Sequence, residues 1–168
     1  PWLSNYDIDN IIEQYEEKYP NFKFLGSTPI DFRQKKYNKC ILNIFNDDSH
    51  KSKWLKNTDK SSEYCDYNPI GYKNKDCFGV VFNTDKHDSG GRHWMSMYIN
   101  TKTKVILFFD SAVTYSHLHP EIKSFIENIK KQYKNTKFTF KYNKIQHQQS
   151  NSECGMYSIY FILTMLDA

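Results

Sequence analysis

The four cysteines, Cys40, Cys65, Cys77 and Cys154, form no C-x-x-C pair, and none joins a histidine at zinc-ligand spacing. No metal site is expected from such a set, and no other cofactor is implied. A signal peptide, internal repeats and a long linker are also missing. The most apolar stretch, Cys154 to Leu166, runs for thirteen residues, where a membrane span needs about 20. Long runs of one charge are missing too. The net charge is +4 with basic residues scattered, and the pair Lys130-Lys131 reads as a solvated helix face. That charge permits a nucleic-acid partner without arguing for one. A domain of this length needs no disulfide staples, so reduced thiols in a cytosol-like, cytoplasmic compartment are expected.

What is present is globular. Hydrophobic residues make up 39% and charged residues 25% of 168 positions. That fits a single domain over residues 1–168, burying roughly 70% of the surface its unfolded chain exposes. The chain opens at Pro1 rather than Met, which is expected of a domain excised from a longer protein. Aromatics reach 17%, and the joint abundance of Lys, Asn, Ile and Tyr is the bias of an AT-rich genome.

Along the chain, "LSNYDIDNIIEQYEEKY" offers Ser4 as an N-cap with Asp7 three residues on, close to a capping box. Ile8, Ile11, Ile12 and Tyr15 then follow helical spacing, and Pro20 ends the helix. "YNKCILNIF" (37–45) reads as a strand. Residues 46–76 read as a polar, irregular insertion with a short helix near Trp54, and "CFGVVFN" (77–83) as a strand. In "HWMSMYINTKTKVILFFDS" two apolar runs flank the polar segment 100–104, the pattern of a β-hairpin. "HPEIKSFIENIKKQY" (119–133) is a predicted helix with a core stripe of Ile122, Phe125, Ile126 and Ile129, and "KFTFKYN" (137–143) is a predicted strand. Helices at both ends of a small antiparallel or mixed sheet suggest an α+β fold.

The chemistry-bearing pattern starts at "QQSNSECGMYSIYFILTML" (148–166), where a polar loop meets a cysteine and then an apolar helix buried all round. Cys154 at a helix N-terminus faces unpaired N–H groups and the positive end of the macrodipole, which favour a thiolate. A thiolate nucleophile needs an imidazole, a group to orient it and donors for an oxyanion. Of the six histidines, His50, His87, His117 and His119 sit in polar loops or at helix starts. His93 instead begins the first hairpin strand, and Asp110 closes the second, so the two are predicted cross-strand neighbours. "SGGRHW" (89–94) reads as a turn ahead of His93.

His93-Trp94, Asp110 seventeen residues on, and Gln148 six residues before Cys154-Gly155 form an ordered set. This set resembles the signature of the ubiquitin-like-protein-specific cysteine proteases. That group includes the SUMO proteases, the adenovirus-type endopeptidases and the maturation proteases of large DNA viruses such as African swine fever virus. "WLSNYDIDNII" and "FFDS" resemble further family segments, so the likeness runs from Trp2 to Leu166. It implies a papain-like core of permuted His-Asp-Cys order, with the nucleophile at the N-terminus of a buried helix. The implied roles are Cys154 as nucleophile, His93 as base and acid, Asp110 as orienting group and Gln148 as oxyanion donor, with Gln146 and Gln149 as neighbours. Trp2 and Trp94 match the two tryptophans that cover the family's Gly-Gly tunnel, while Trp54 matches nothing and is expected to pack.

The resemblance implies a monomeric peptidase cutting after Gly-Gly in a viral polyprotein or a ubiquitin-like precursor or conjugate. A virion or host cytoplasm would be its place if the chain is viral, and no membrane partner is implied. Two other readings stand beside it. An acyltransferase on the same fold would use the same triad to acetylate Ser, Thr or Lys, but would not need two tunnel tryptophans. A non-catalytic module that binds ubiquitin-like proteins would not need an intact Cys, His, Asp and Gln set.

Overall fold

The computed structural model describes residues 2–45, 54–55, 61–114, 118–134 and 136–168. The N-terminal helix α1 (Asn5–Glu13) starts where the capping box predicts. Ser4 Oγ accepts from Asp7 N, and the Asp7 carboxylate accepts from Ser4 N at 2.8 Å. Ile8 and Ile12 point inward from it. A short α2 (Tyr15–Lys18) follows, then strand β1 (Phe22–Thr28).

Strand β1 pairs in parallel with β4 (Cys77–Asn83). Next come β5 (Trp94–Asn100), antiparallel to β4, β6 (Val105–Phe109), antiparallel to β5, and β7 (Thr139–Tyr142), parallel to β6. The order β1-β4-β5-β6-β7 makes a mixed sheet. Both faces are covered. Helix α4 (Pro120–Lys131) lies on one face, with the Ile122, Phe125, Ile126 and Ile129 stripe buried against Phe78, Val80, Phe82, Met95 and Met97. Each such side chain is worth about 1.5–3 kcal/mol when fully buried. Helices α1 and α5 (Cys154–Asp167) cover the other face over Phe22, Phe24, Val81, Trp94 and Tyr98. Double coverage is why the central strands are apolar runs without alternation.

Four expectations change. Residues 37–45 are not one strand. Tyr37 and Asn38 both take positive φ (51° and 64°) and form the two-residue turn between β2 (Lys35–Lys36) and β3 (Lys39–Cys40), the backbone of a type I′ hairpin. Ile41–Phe45 is a short helix, α3. The apolar run after Cys40 therefore has the composition of a strand but lacks its alternation. Strand β1 has no sequence forecast because Lys23, Gly26, Ser27 and Thr28 dilute its apolar content, yet all seven residues are buried. Lys23 is accommodated through Glu16 at 3.4 Å.

The insertion is not wholly peripheral. Cys65, Tyr67 and Tyr72 join the core, and Cys40 and Cys65 form a disulfide with Cα atoms 6.1 Å apart. The reduced state expected for all four thiols holds for Cys77 and Cys154 only. The hairpin turn at 37–38 carries Cys40 to the 61–65 segment, where Cys65 N donates to Arg33 O at 2.7 Å, a juxtaposition invisible in sequence. Trp54 packs in the core as expected, 4.7 Å from the Phe78 ring, while a helix around it falls outside the described residues. Finally, α5 is not buried all round. Met156 and Tyr160 are exposed, because the helix lies on the outer face of the sheet.

Candidate functional site

The β5–β6 hairpin positions the first two groups. Its last paired residues at this end are Ser96 and Phe109. Running the register one step further sets Asp110 against Met95, so His93 is the diagonal neighbour, within reach of a long side chain. His93 Nε2–H donates to Asp110 Oδ1 at 2.6 Å. The chain then wraps the carboxylate. Ala112 N donates to Oδ1 at 3.0 Å and Thr114 N to Oδ2 at 2.9 Å. Val113 between them has φ +48°, a strained conformation for a β-branched residue that costs about 1–3 kcal/mol. Asn143, just past β7, clamps the main chain on both sides. Asp110 N donates to its Oδ1 at 2.9 Å, and its Nδ2–H donates to Asp110 O at 2.7 Å. Burial works to raise the Asp110 pKa, but the His93 bond and charge and the two backbone donors outweigh it and lower the value.

Cys154 is fully buried and is the first residue of α5. Glu153 at the cap position makes no side-chain cap bond. Its carboxylate instead accepts from Gln149 N at 2.7 Å and Ser150 N at 3.1 Å, closing the preceding loop. The helix's first N–H groups thus stay available to an anion at the sulfur. The Cys154 side chain is among the groups that raise the His93 pKa. With Nε2 spent on Asp110, Nδ1 is the ring nitrogen left to serve the sulfur. Burial alone would lower the His93 pKa, yet the bonds and charges of Asp110 and Cys154 push it up to about 9. The ring is therefore an imidazolium at neutral pH. Gly155 follows because the N-terminal segment crosses here. A Cβ at Gly155 would sit 3.1 Å from Leu3 Cβ and 3.2 Å from Leu3 Cδ1.

Of the three candidate glutamines only Gln148 is buried; Gln146 and Gln149 are exposed. Ser111 Oγ–H donates to Gln148 Oε1 at 2.6 Å, and Gln148 Nε2 gives one hydrogen to Ser150 O at 3.1 Å. An amide NH₂ carries two hydrogens, so one remains for a ligand. Ser111 O also accepts from His147 N and Gln148 N, at 2.8 and 3.1 Å. Ser111 thus ties the acid's strand end to the glutamine loop. Sequence reasoning missed both Ser111 and Asn143 as positioning groups. Their only signal was their place, directly after Asp110 and at the end of "KFTFKYN".

Trp2 and Trp94 stack with centroids 6.5 Å apart and planes at 29°. Trp94 is buried and its indole N–H donates to Leu3 O at 3.0 Å, while Trp2 is 40% exposed. Two other histidines, His87 and His119, have roles away from the site. His87 Nδ1 pairs with buried Asp31 at 2.5 Å and its Nε2 meets Lys36 Nζ at 3.2 Å, so it anchors its loop. His119 caps α4, its Nδ1 accepting from Glu121 N. His50 and His117 lie outside the described residues. Among the described residues no group of three His, Cys, Asp or Glu side chains can hold a metal, and no helix is long and apolar enough to cross a membrane.

Comparison with known proteins gives three kinds of match. The family described as Ulp1 protease, C-terminal catalytic domain, matches residues 9–167. A protein of Acanthamoeba polyphaga mimivirus named as a thiol protease is 32% identical over 98% of this chain and 48% of its own length. The crystal structure of the African swine fever virus protease superposes with a TM-score of 0.64 at 26% identity, over 99% of this chain and 58% of that one. The yeast Ulp1 protease domain, solved in complex with Smt3, the yeast ortholog of SUMO, gives a TM-score of 0.60 at 17% identity, over 99% and 66%. The chain spans about half the length of the curated relatives it matches.

Proposed function

The chain belongs to the Ulp1 protease family, matched through its C-terminal catalytic domain, and from that premise we propose that it is a cysteine endopeptidase that cleaves after Gly-Gly. Its substrate is a viral polyprotein or a ubiquitin-like precursor or conjugate. The observation that carries the chemistry is the His93–Asp110 bond, with Cys154 acting on His93 from the N-terminus of a buried helix. The viral proteases among its relatives support the first substrate class, and the Ulp1 structure holding Smt3 supports the second.

In this reading the Cys154 thiolate attacks the glycine carbonyl carbon. The oxyanion takes hydrogen bonds from Cys154 N–H and the free Nε2 hydrogen of Gln148. His93 Nδ1–H then gives its proton to the departing amine as the C–N bond breaks, leaving a thioester. Water, deprotonated by the now neutral His93, attacks the thioester carbon and releases the acid and the thiol. Asp110 holds the imidazole in the productive tautomer throughout.

Gly-Gly selection rests on the indole pair. A peptide backbone between two rings needs two contact layers of about 3.5–4.0 Å each, or about 7–8 Å, against the 6.5 Å between centroids. The exposed Trp2 has to tilt outward even for glycine, and a Cβ asks for more. The test is a set of peptides carrying Gly-Gly, Ala-Gly or Gly-Ala before the scissile bond. Either alanine should lower kcat/KM by roughly 10–200-fold. Equal cleavage of all three would remove the Gly-Gly assignment.

A further inference from the structure

A cavity of about 280 Å³ opens against Trp2 and Trp94, and neither Cys154 nor His93 lines it. Its walls come instead from the ends of β1 and β4, across β5 from Asp110. A substrate passing between the indoles, with its last glycine at Cys154, continues into this space. We propose that the cavity is a subsite for the residue immediately before Gly-Gly, and that it selects a hydrogen-bonding side chain without positive charge there. The proposal rests on the Gly-Gly reading above. The volume is at the low end for ligand pockets, enough for one side chain.

The walls decide the chemistry. Thr28 ends β1 beside Phe82, and Asn83 ends β4, so both stand at the sheet end that carries His93. Thr28 is 2% exposed, and its Oγ1 has no hydrogen-bond partner among the described residues. Asn83 is buried. Its Oδ1 accepts from Asp85 N at 2.9 Å and Arg92 N at 3.2 Å. Its amide N–H groups have no partner among the described residues. They face Gly91, whose φ of +81° and 3.0 Å Cβ clearance to Asn83 Nδ2 admit only glycine. The wall thus offers a hydroxyl and an amide with unspent capacity.

The charges of Asp85 and His87 are committed. Asp85 Oδ2 accepts from Gly91 N at 3.1 Å and lies 3.9 Å from Arg92 Nε. His87 is bound to Asp31, and Lys86 is exposed to solvent. A cationic substrate group would lose hydration here without gaining a partner. An apolar one would leave the buried hydroxyl and amide unpaired.

The experiment is a library X-Gly-Gly-reporter with all residues at X, run on the wild type, Thr28→Val and Thr28→Ser. Wild type should favour Asn, Gln, Ser or Thr over Leu and Lys by on the order of tenfold. Thr28→Val, which keeps the shape and deletes the hydroxyl, should flatten that preference without lowering the Tm, and Thr28→Ser should keep it. Efficient cleavage with a flat profile in the wild type, or an unchanged profile in Thr28→Val, would overturn the subsite alone. Cleavage of no X-Gly-Gly peptide would overturn the Gly-Gly reading and the subsite with it.

Discussion

Asp110 spends its carboxylate on one imidazole and two backbone N–H groups, and its main chain on Asn143. Such a residue sets a direction for His93 and a pH range for the enzyme. With His93 at about 9, kcat/KM should hold through neutral pH and fall as pH rises through about 9, where the ring loses the proton owed to the leaving amine. Asp110→Asn removes a cause of the raised value, so the alkaline limb should move to lower pH; an unmoved limb would contradict the pairing. The same shifts bear on stability. The raised His93 value stabilises the fold fully below its ordinary 6.5 and is lost as pH rises through about 9. The lowered Asp110 value contributes above its ordinary 3.8 and is lost as pH falls below it. Ser111 makes a separate prediction. Ser111→Ala frees the Gln148 amide to rotate, so kcat should drop with little change in KM, and by less than the roughly 10²–10³-fold of Gln148→Ala. In Gln148→Ala the added Ser111→Ala should cost almost nothing more; full additivity would mean that Ser111 does not act through Gln148.

Among the elements, the β5–β6 hairpin and helix α4 were readable to within a few residues. Their signals are local: two apolar runs around a polar turn, and a four-residue stripe at helical spacing. The His93–Asp110 pairing followed from the hairpin alone. Strand β1 and helix α3 were not readable. The first is a parallel edge strand whose buried Lys23 depends on Glu16 from another element, and the second hinges on a turn set by two positive-φ residues, Tyr37 and Asn38. Ser111 and Asn143 were unreadable as site residues because their partners lie 33 to 37 positions away. One packing detail joins elements and gives a further prediction. Gly155→Ala would press a methyl into Leu3 at 3.1 Å and push aside the segment that carries Trp2 and accepts the Trp94 indole bond. Cleavage of Gly-Gly peptides should fall mainly through KM, while a small alkylating reagent still reacts with Cys154. A pure kcat effect would place the role of the glycine at the sulfur instead.

For the whole molecule, the α+β class and the order of His, Asp and Cys were open to sequence reading because they need only element types and sequence order. The disulfide, the core role of Tyr67 and Tyr72, and the exposed Met156 and Tyr160 were not, since each depends on how distant segments meet. The hairpin end that carries His93 and Asp110 is tied through Ser111 to the loop of Gln148, which runs into the head of α5, and the proposed chemistry has these three stretches converge on the Cys154 sulfur. Intact-mass labelling with electrophile-tipped Gly-Gly peptide, ubiquitin and SUMO probes, on the wild type and Cys154→Ala, tests that convergence most directly. The account predicts one adduct on the wild type, mapped to Cys154 and absent from a folded Cys154→Ala. No adduct with any probe, or an adduct that persists in the variant at Cys77, would contradict it.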